Sequence, residues 1–138
     1  MRSVRFLAIG GLLGLLTACA SADADLAASN PAGPEVLAAE DAVQLLDERA
    51  DAVVIDVRTP LEFAQGHLTG AALIDIGAAD FTERVGELDP DETYVIYCRT
   101  GNRSADAVRI MAELGFASLY DAGGFADLAR AGAPTSTP

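Results

Sequence analysis

The sequence predicts an α/β fold in which a central parallel sheet carries helices on both faces. Short continuous apolar runs, as in strands buried on both faces, occur at residues 52–57 and 93–97. Segments with apolar residues at helical spacing alternate with such runs, and residues 103–114 are the clearest of them. This alternation is typical of a parallel sheet between helices. The chain has 138 residues, 51% of them hydrophobic, which is enough for one domain with a packed core.

The chain begins with the pattern of an export signal. Arg2 and Arg5 precede an uncharged apolar run over residues 6–16. This run is too short for a membrane-spanning helix, which needs about 20 apolar residues. Small residues follow it, and we therefore predict a signal peptide over residues 1–18.

The segment Leu16-Thr17-Ala18-Cys19 resembles the bacterial lipobox. The resemblance implies that the Cys19 thiol is acylated with diacylglycerol and that the chain is cut just before it. An ordinary signal peptide, cleaved after Ala18 or Ala20, remains the alternative. Residues 19–34 are then a lipidated N-terminus and a flexible tether. We expect an exported protein with a lipid anchor, either on the periplasmic face of an outer membrane or on the outer face of a plasma membrane.

The composition changes at Glu35, where the predicted domain of residues 35–133 begins. Pro60 suits a first helical turn, Pro90 stops a helix before it, and Gly66 and Gly115 follow helix ends. Strands are predicted over residues 52–57, 72–76, 93–97 and 118–121. Helices are predicted over residues 40–49, 60–64, 81–88, 103–114 and 125–130. A polar tail over residues 134–138 ends the chain.

Charge and residue content argue against several functions. The net charge is −12 and every basic residue is an arginine. Such a chain repels nucleic-acid phosphates and anionic lipid headgroups, so we expect neither nucleic-acid binding nor a polybasic membrane patch. One histidine and one unlipidated cysteine do not make a ligand set, so no metal site and no cofactor are predicted.

The loop after residues 93–97 carries the chemistry. Cys98 lies at the carboxyl end of a predicted strand, which is where ligands bind in parallel α/β sheets. Consecutive backbone N–H groups and a helix N-terminus can stabilise an anion there. Gly101 allows a tight turn, and Arg99 and Arg103 add positive charge. We therefore predict a reactive thiol with a lowered pKa at Cys98 rather than a structural cysteine. The predicted loop is Cys98, Arg99, Thr100, Gly101, Asn102, Arg103 and Ser104.

This loop resembles the active-site loop of single-domain rhodaneses. Two further segments resemble the family, residues 55–71 with their G-H-L-T-G-A turn and the G-G turn at residues 122–125. One departure is Leu128, at a position that is often Trp in the family. The resemblance covers about residues 36–133 and implies a rhodanese-like three-layer domain with sulfurtransferase activity.

The resemblance implies two-step covalent catalysis. The Cys98 thiolate takes the outer sulfur of a donor such as thiosulfate, becomes a persulfide, and passes the sulfur to cyanide, a thiol or a protein. Loop N–H groups would stabilise the sulfur anion, and Ser104 could cap the helix and donate to sulfur. Arg99 and Arg103 would attract the donor, and two cations suit a dianion such as thiosulfate.

Two other functions stay open. A rhodanese domain can serve as a non-catalytic binding module, although such relatives often lose the cysteine. Phosphatases that share this fold have a loop one residue longer than the four residues between Cys98 and Arg103, so a phosphatase is the weaker enzyme hypothesis.

Four more residues are expected to support the site. The resemblance implies that Asp56 helps to fix the loop geometry and that Arg58 pairs with a carboxylate such as Glu62. His67 is expected to be a hydrogen-bonded turn residue, because a cysteine with a lowered pKa needs no catalytic base.

Overall fold

A computed structural model describes residues 33–138. The predicted signal peptide, the lipidation at Cys19 and most of the tether lie outside this range. Seven strands and five helices form between these limits. The strands are β1 (Glu35–Val36), β2 (Val53–Asp56), β3 (His67–Leu68), β4 (Ala72–Leu73), β5 (Thr93–Cys98), β6 (Ser118–Gly124) and β7 (Thr135–Ser136). The helices are α1 (Ala39–Glu48), α2 (Pro60–Ala64), α3 (Phe81–Gly86), α4 (Asn102–Glu113) and α5 (Phe125–Arg130).

Five strands form one parallel sheet in the order β1-β6-β5-β2-β4, so the predicted parallel α/β fold is confirmed. The central strand β5 pairs with β2 on one side and β6 on the other. All six residues of β5 are buried, as its continuous apolar sequence predicts. The carboxyl ends of β2 and β5 therefore lie side by side in the middle of the sheet.

The sheet separates two hydrophobic clusters. Because side chains alternate along a strand, Ile96 and Cys98 face the cluster under α3 and α4, whereas Val95 and Tyr97 face the cluster under α1 and α5. Leu128 is fully buried in the second cluster. Helices thus cover both faces, and the last two residues of β5 point to opposite layers.

Several elements differ from the predicted pattern. The strand predicted over residues 72–76 is only Ala72–Leu73, the helix predicted over residues 81–88 ends at Gly86, and β3 forms where a turn was expected. The strand β1 adds an edge that the sequence did not suggest, and β6 continues through the G-G turn to Gly124. The segment predicted as a polar tail contains β7, which pairs antiparallel with β3 next to α2. Within residues 33–138, no helix is both long and apolar enough to cross a membrane.

Candidate active site

Cys98 ends β5 and is completely buried. Its Sγ accepts a hydrogen bond from the backbone N–H of Gly101 at 3.0 Å and lies 3.6 Å from the Ser104 hydroxyl. That hydroxyl also lies 3.0 Å from the Gly101 carbonyl oxygen, so its single proton can serve either acceptor. The cap position of α4 belongs to Gly101, not to Ser104, and it has no side-chain cap.

The pKa of the Cys98 thiol is lowered by its surroundings. Burial acts to raise this pKa, but hydrogen bonds from Ser104 and from the backbone of Thr100 and Gly101 outweigh burial. The charge of Arg103 also favours the thiolate, but the hydrogen bonds are the larger cause. These contacts favour the thiolate form of Cys98, and the amides and the hydroxyl contribute more to this than the sequence suggested.

Glycines let the loop pack tightly against the G-G turn. Gly101 has a φ of 99°, a conformation that other residues rarely adopt, and a Cβ there would lie 3.5 Å from Gly123. A Cβ on Gly124 would lie only 2.8 Å from the carbonyl oxygen of Arg99. The turn predicted from the third motif thus forms the surface on which the loop rests.

A buried network occupies the end of β2, beside the loop. The Asp56 carboxylate accepts hydrogen bonds from Arg58 Nη2 at 2.7 Å and from the Tyr97 hydroxyl at 2.6 Å. Arg58 also donates to the Gly66 carbonyl oxygen, and its guanidinium lies 4.4 Å from the centre of the Phe125 ring. Burial disfavours the charge of Arg58, but the bond with Asp56 outweighs it and raises the pKa of Arg58.

Arg58 pairs with a carboxylate, as expected, but the partner is Asp56 and the suggested partner Glu62 is wrong. Glu62 instead forms a bidentate ion pair with Arg103, with both N–O distances at 2.8 Å. Arg58 cannot take this partner because Asp56, two residues before it, already accepts three hydrogen bonds from its side chain. The bonds with Arg103 overcome the effect of burial and lower the pKa of Glu62 to about 2.

A capping box holds Glu62 in place. Thr59 caps α2 by accepting a hydrogen bond from the Glu62 N–H, and Glu62 Oε2 accepts hydrogen bonds from the Thr59 N–H and hydroxyl at 3.1 and 3.0 Å. The T-x-x-E spacing carries this signal, which the sequence reading missed. Tyr97 was missed as well, and no short motif marks it. Phe125 ends the G-G segment, but that segment did not predict its contact with Arg58.

A cleft of about 410 Å³ opens beside the loop. Its lining residues are Arg58, Glu62, Gln65, Gly66, Arg99, Phe125 and Ala126. Arg99 and Thr100 are exposed at the loop, as is Asn102. His67 donates a hydrogen bond from Nδ1 to the Phe63 carbonyl oxygen, 3.0 Å away, and its ring stacks on Phe63. It does not line the cleft. Between residues 33 and 138, no group of three or more His, Cys, Asp or Glu side chains is placed to hold a metal ion.

Comparison with known proteins identifies the family. A family model of the rhodanese-like domain matches residues 38–131, and the chain belongs to this family. The thiosulfate sulfurtransferase GlpE of Pseudomonas putida is 37% identical over 93 residues, which cover 67% of this chain and 82% of that protein. The thiosulfate sulfurtransferase PspE of Escherichia coli is 38% identical over 77 residues, 54% of this chain and 72% of that protein. A sulfurtransferase of Allochromatium vinosum is 33% identical over 96 residues, 69% of this chain and 88% of that protein. These relatives support a rhodanese-type sulfurtransferase.

Solved structures agree with the fold. A crystal structure of a rhodanese-related protein from Thermoplasma volcanium covers 75% of this chain and 99% of its own, with 29% identity and a TM-score of 0.65. A solution structure of the Helicobacter pylori protein hp1203 covers 74% of this chain and 88% of its own, with 28% identity and a TM-score of 0.61. The family predicted from the three motifs is therefore confirmed.

Proposed function

We propose that this protein transfers sulfane sulfur from a small anion such as thiosulfate to a thiophilic acceptor through a persulfide on Cys98. The observation that carries the proposal is the geometry at the Cys98 sulfur. A backbone N–H at 3.0 Å and a hydroxyl at 3.6 Å converge on Sγ at the start of α4. These groups favour a thiolate, which is the nucleophilic form of cysteine.

The reaction then proceeds in two displacements. The Cys98 thiolate attacks the outer sulfur of thiosulfate, the S–S bond of the donor breaks, and sulfite leaves with its electron pair. The resulting persulfide carries one negative charge, which the loop N–H groups stabilise. Cyanide or a thiolate next attacks the outer sulfur and leaves with it, which restores the Cys98 thiolate.

Burial of Cys98 limits what can react. The residue has no exposed surface, so the loop must move slightly for a donor to reach Sγ. A slender atom such as the terminal sulfur of thiosulfate needs less movement than a bulky group. The cleft beside the loop, with Arg99 in its wall, gives the rest of the donor anion a place to bind.

Intact mass spectrometry tests the proposal. Purified protein incubated with thiosulfate should gain the mass of one sulfur atom, and the Cys98→Ser variant should gain none. Absence of an adduct with every sulfane donor tried would contradict the proposal and favour a non-catalytic binding module. Turnover of p-nitrophenyl phosphate that depends on Cys98 would favour a phosphatase instead.

The proposed location is the cell envelope, with the domain tethered through lipid on Cys19. The support is the lipobox-like segment after an uncharged apolar run. Several acyl chains would anchor the chain stably, whereas one chain gives only marginal membrane binding. Labelling of the full-length protein with radioactive palmitate in bacteria should depend on Cys19. Unlabelled protein that is cleaved after Ala18 or Ala20 would show an ordinary signal peptide.

A further inference from the structure

The three arginines around the loop differ in their partners. Arg58 pairs with Asp56 at 2.7 Å, and Arg103 pairs with Glu62 at 2.8 Å. In the part of the chain that the structure describes, Arg99 has no carboxylate within ion-pair distance. The sequence suggested that Arg99 and Arg103 both offer free charge to a donor. In the structure, Arg99 offers an uncompensated positive charge, whereas the charge of Arg103 is compensated by Glu62.

The two compensated arginines are not equivalent. The pair of Asp56 and Arg58 is buried, with side-chain exposures of 0% and 6%. In the other pair, the exposures are 22% for Glu62 and 33% for Arg103, and Glu62 lines the cleft. An anion in the cleft therefore meets the Glu62 carboxylate as part of the wall.

Glu62 is also fixed in position. Its Oε2 accepts hydrogen bonds from Thr59 and from Arg103 at the same time, so the carboxylate cannot turn away without breaking the helix cap. Asp75 acts on the charge of Arg103 from farther away and adds to the compensation. The cancellation of the Arg103 charge is thus a lasting feature of the cleft.

We propose that Glu62 is a specificity-determining residue for the sulfur donor, because its carboxylate cancels the Arg103 charge and limits the advantage of dianionic over monoanionic donors. This inference rests on the sulfur-transfer function proposed above. Coulomb energy is proportional to charge, so one extra positive charge in the wall stabilises a bound dianion twice as much as a monoanion. Loss of the Glu62 charge should therefore favour the dianion selectively.

Two donors of similar shape can separate charge from the chemistry. Thiosulfate is a dianion, and methanethiosulfonate is a monoanion in which a methyl group replaces one oxygen. In both, the Cys98 thiolate attacks the outer sulfur and the S–S bond breaks. Sulfite leaves from the first donor and methanesulfinate from the second, each with the bonding electron pair. The same Cys98 persulfide remains, and cyanide can serve as the acceptor for both.

The experiment measures kcat/KM for each donor and takes the ratio of thiosulfate to methanethiosulfonate. Glu62→Gln should raise this ratio about three- to tenfold, because the interaction of one charge across a solvated cleft is modest. Arg103→Gln leaves the Glu62 carboxylate uncompensated and should lower the ratio by a similar factor. The double variant restores the local charge and should return the ratio close to that of the unmodified protein.

The signs of these effects distinguish charge from structure. Glutamine keeps the capping box, so Glu62→Gln preserves the start of α2. A purely structural role would reduce kcat/KM for both donors equally and leave the ratio unchanged in all variants. The Glu62→Gln effect should also shrink at high ionic strength, because salt screens charges in a solvated cleft.

Glu113→Gln is the matched control. Glu113 forms an ion pair with Arg109 at 3.1 Å. It lies at the C-terminal end of α4, about 15 Å along the helix axis from Arg103 near the start of the same helix. This variant removes the same charge from the protein and should leave the ratio unchanged. An equal rise in the control, or no change in Glu62→Gln, overturns the role of Glu62 alone. Failure of both donors to form the persulfide would overturn the sulfur-transfer function, and this inference with it.

Discussion

The ends of the two neighbouring strands β2 and β5 each carry an arginine–carboxylate pair, but the two pairs lie in different surroundings. At the end of β2, Asp56 and Arg58 are buried and satisfied by each other, by Tyr97 and by the Gly66 carbonyl. After β5, Arg103 forms an ion pair with Glu62 next to the Cys98 loop, and both side chains are partly exposed.

This difference assigns separate tasks to the two strand ends. A buried ion pair is costly to form and still more costly to break, so the β2 end is a rigid support for the cleft. A part-exposed pair contributes little to stability. The pair of Glu62 and Arg103 can therefore determine the charge beside the cleft without being needed for the stability of the fold. If the division holds, breaking the buried pair should cost far more stability than breaking the part-exposed one.

The largest effect is expected at the buried pair. Asp56→Asn leaves the Arg58 charge uncompensated inside the protein and should lower the free energy of unfolding by about 3–5 kcal/mol. Urea denaturation followed by circular dichroism measures this change. The control is Asp127→Asn, which breaks the exposed 2.7 Å pair with Arg130. The control should cost less than about 1 kcal/mol, and equal losses in the two variants would refute a special role for burial.

The next effect concerns the thiol rather than stability. Ser104→Ala removes a hydroxyl that stabilises the Cys98 thiolate and should raise the pKa of Cys98 relative to the unmodified protein. One hydrogen bond to a charged group is worth about 1.5 kcal/mol, so the rate of alkylation by iodoacetamide at neutral pH should fall by up to about tenfold.

Alkylation rates measured against pH give the pKa directly. Because the lowered pKa favours the thiolate, reactivity should persist below the pH at which an ordinary cysteine loses it, and Ser104→Ala should shift the profile upward. Thr100→Ala keeps the backbone N–H groups and serves as the control. An unshifted profile in Ser104→Ala would show that the backbone N–H groups stabilise the thiolate without help from the Ser104 hydroxyl.

The sequence predicted the fold well because its signals are local. The continuous apolar run before Cys98 predicted β5, and Pro60 predicted the start of α2 at the correct residue. The loop geometry followed from a strand end, a glycine and a helix start. Where one residue decides the local backbone conformation, reading the chain in order is sufficient.

The partners of the arginines could not be predicted in the same way. Glu62 and Arg103 are 41 residues apart in the chain, and only the alignment of β2 beside β5 brings them together. Tyr97 was read as an ordinary strand residue, yet its hydroxyl completes the Asp56 network from the opposite face to Cys98. Counting the arginines near Cys98 in the sequence overestimates the positive charge of the site, because a carboxylate far away in the chain can compensate one of them.

The smallest stability effect is expected at the part-exposed pair, and it depends on pH. The pKa of Glu62 is lowered from 4.5 to about 2, so its stabilising contribution is fully present above pH 4.5 and is lost as pH falls toward 2. Glu62→Gln should therefore cost up to about 1 kcal/mol at neutral pH, and most of this difference should be lost by pH 2. Urea denaturation of both proteins across this pH range measures the change, with Glu113→Gln as the exposed control. A difference that persists at pH 2 would show that Glu62 stabilises the fold through its shape rather than its charge, and would weaken the contrast between the two strand ends.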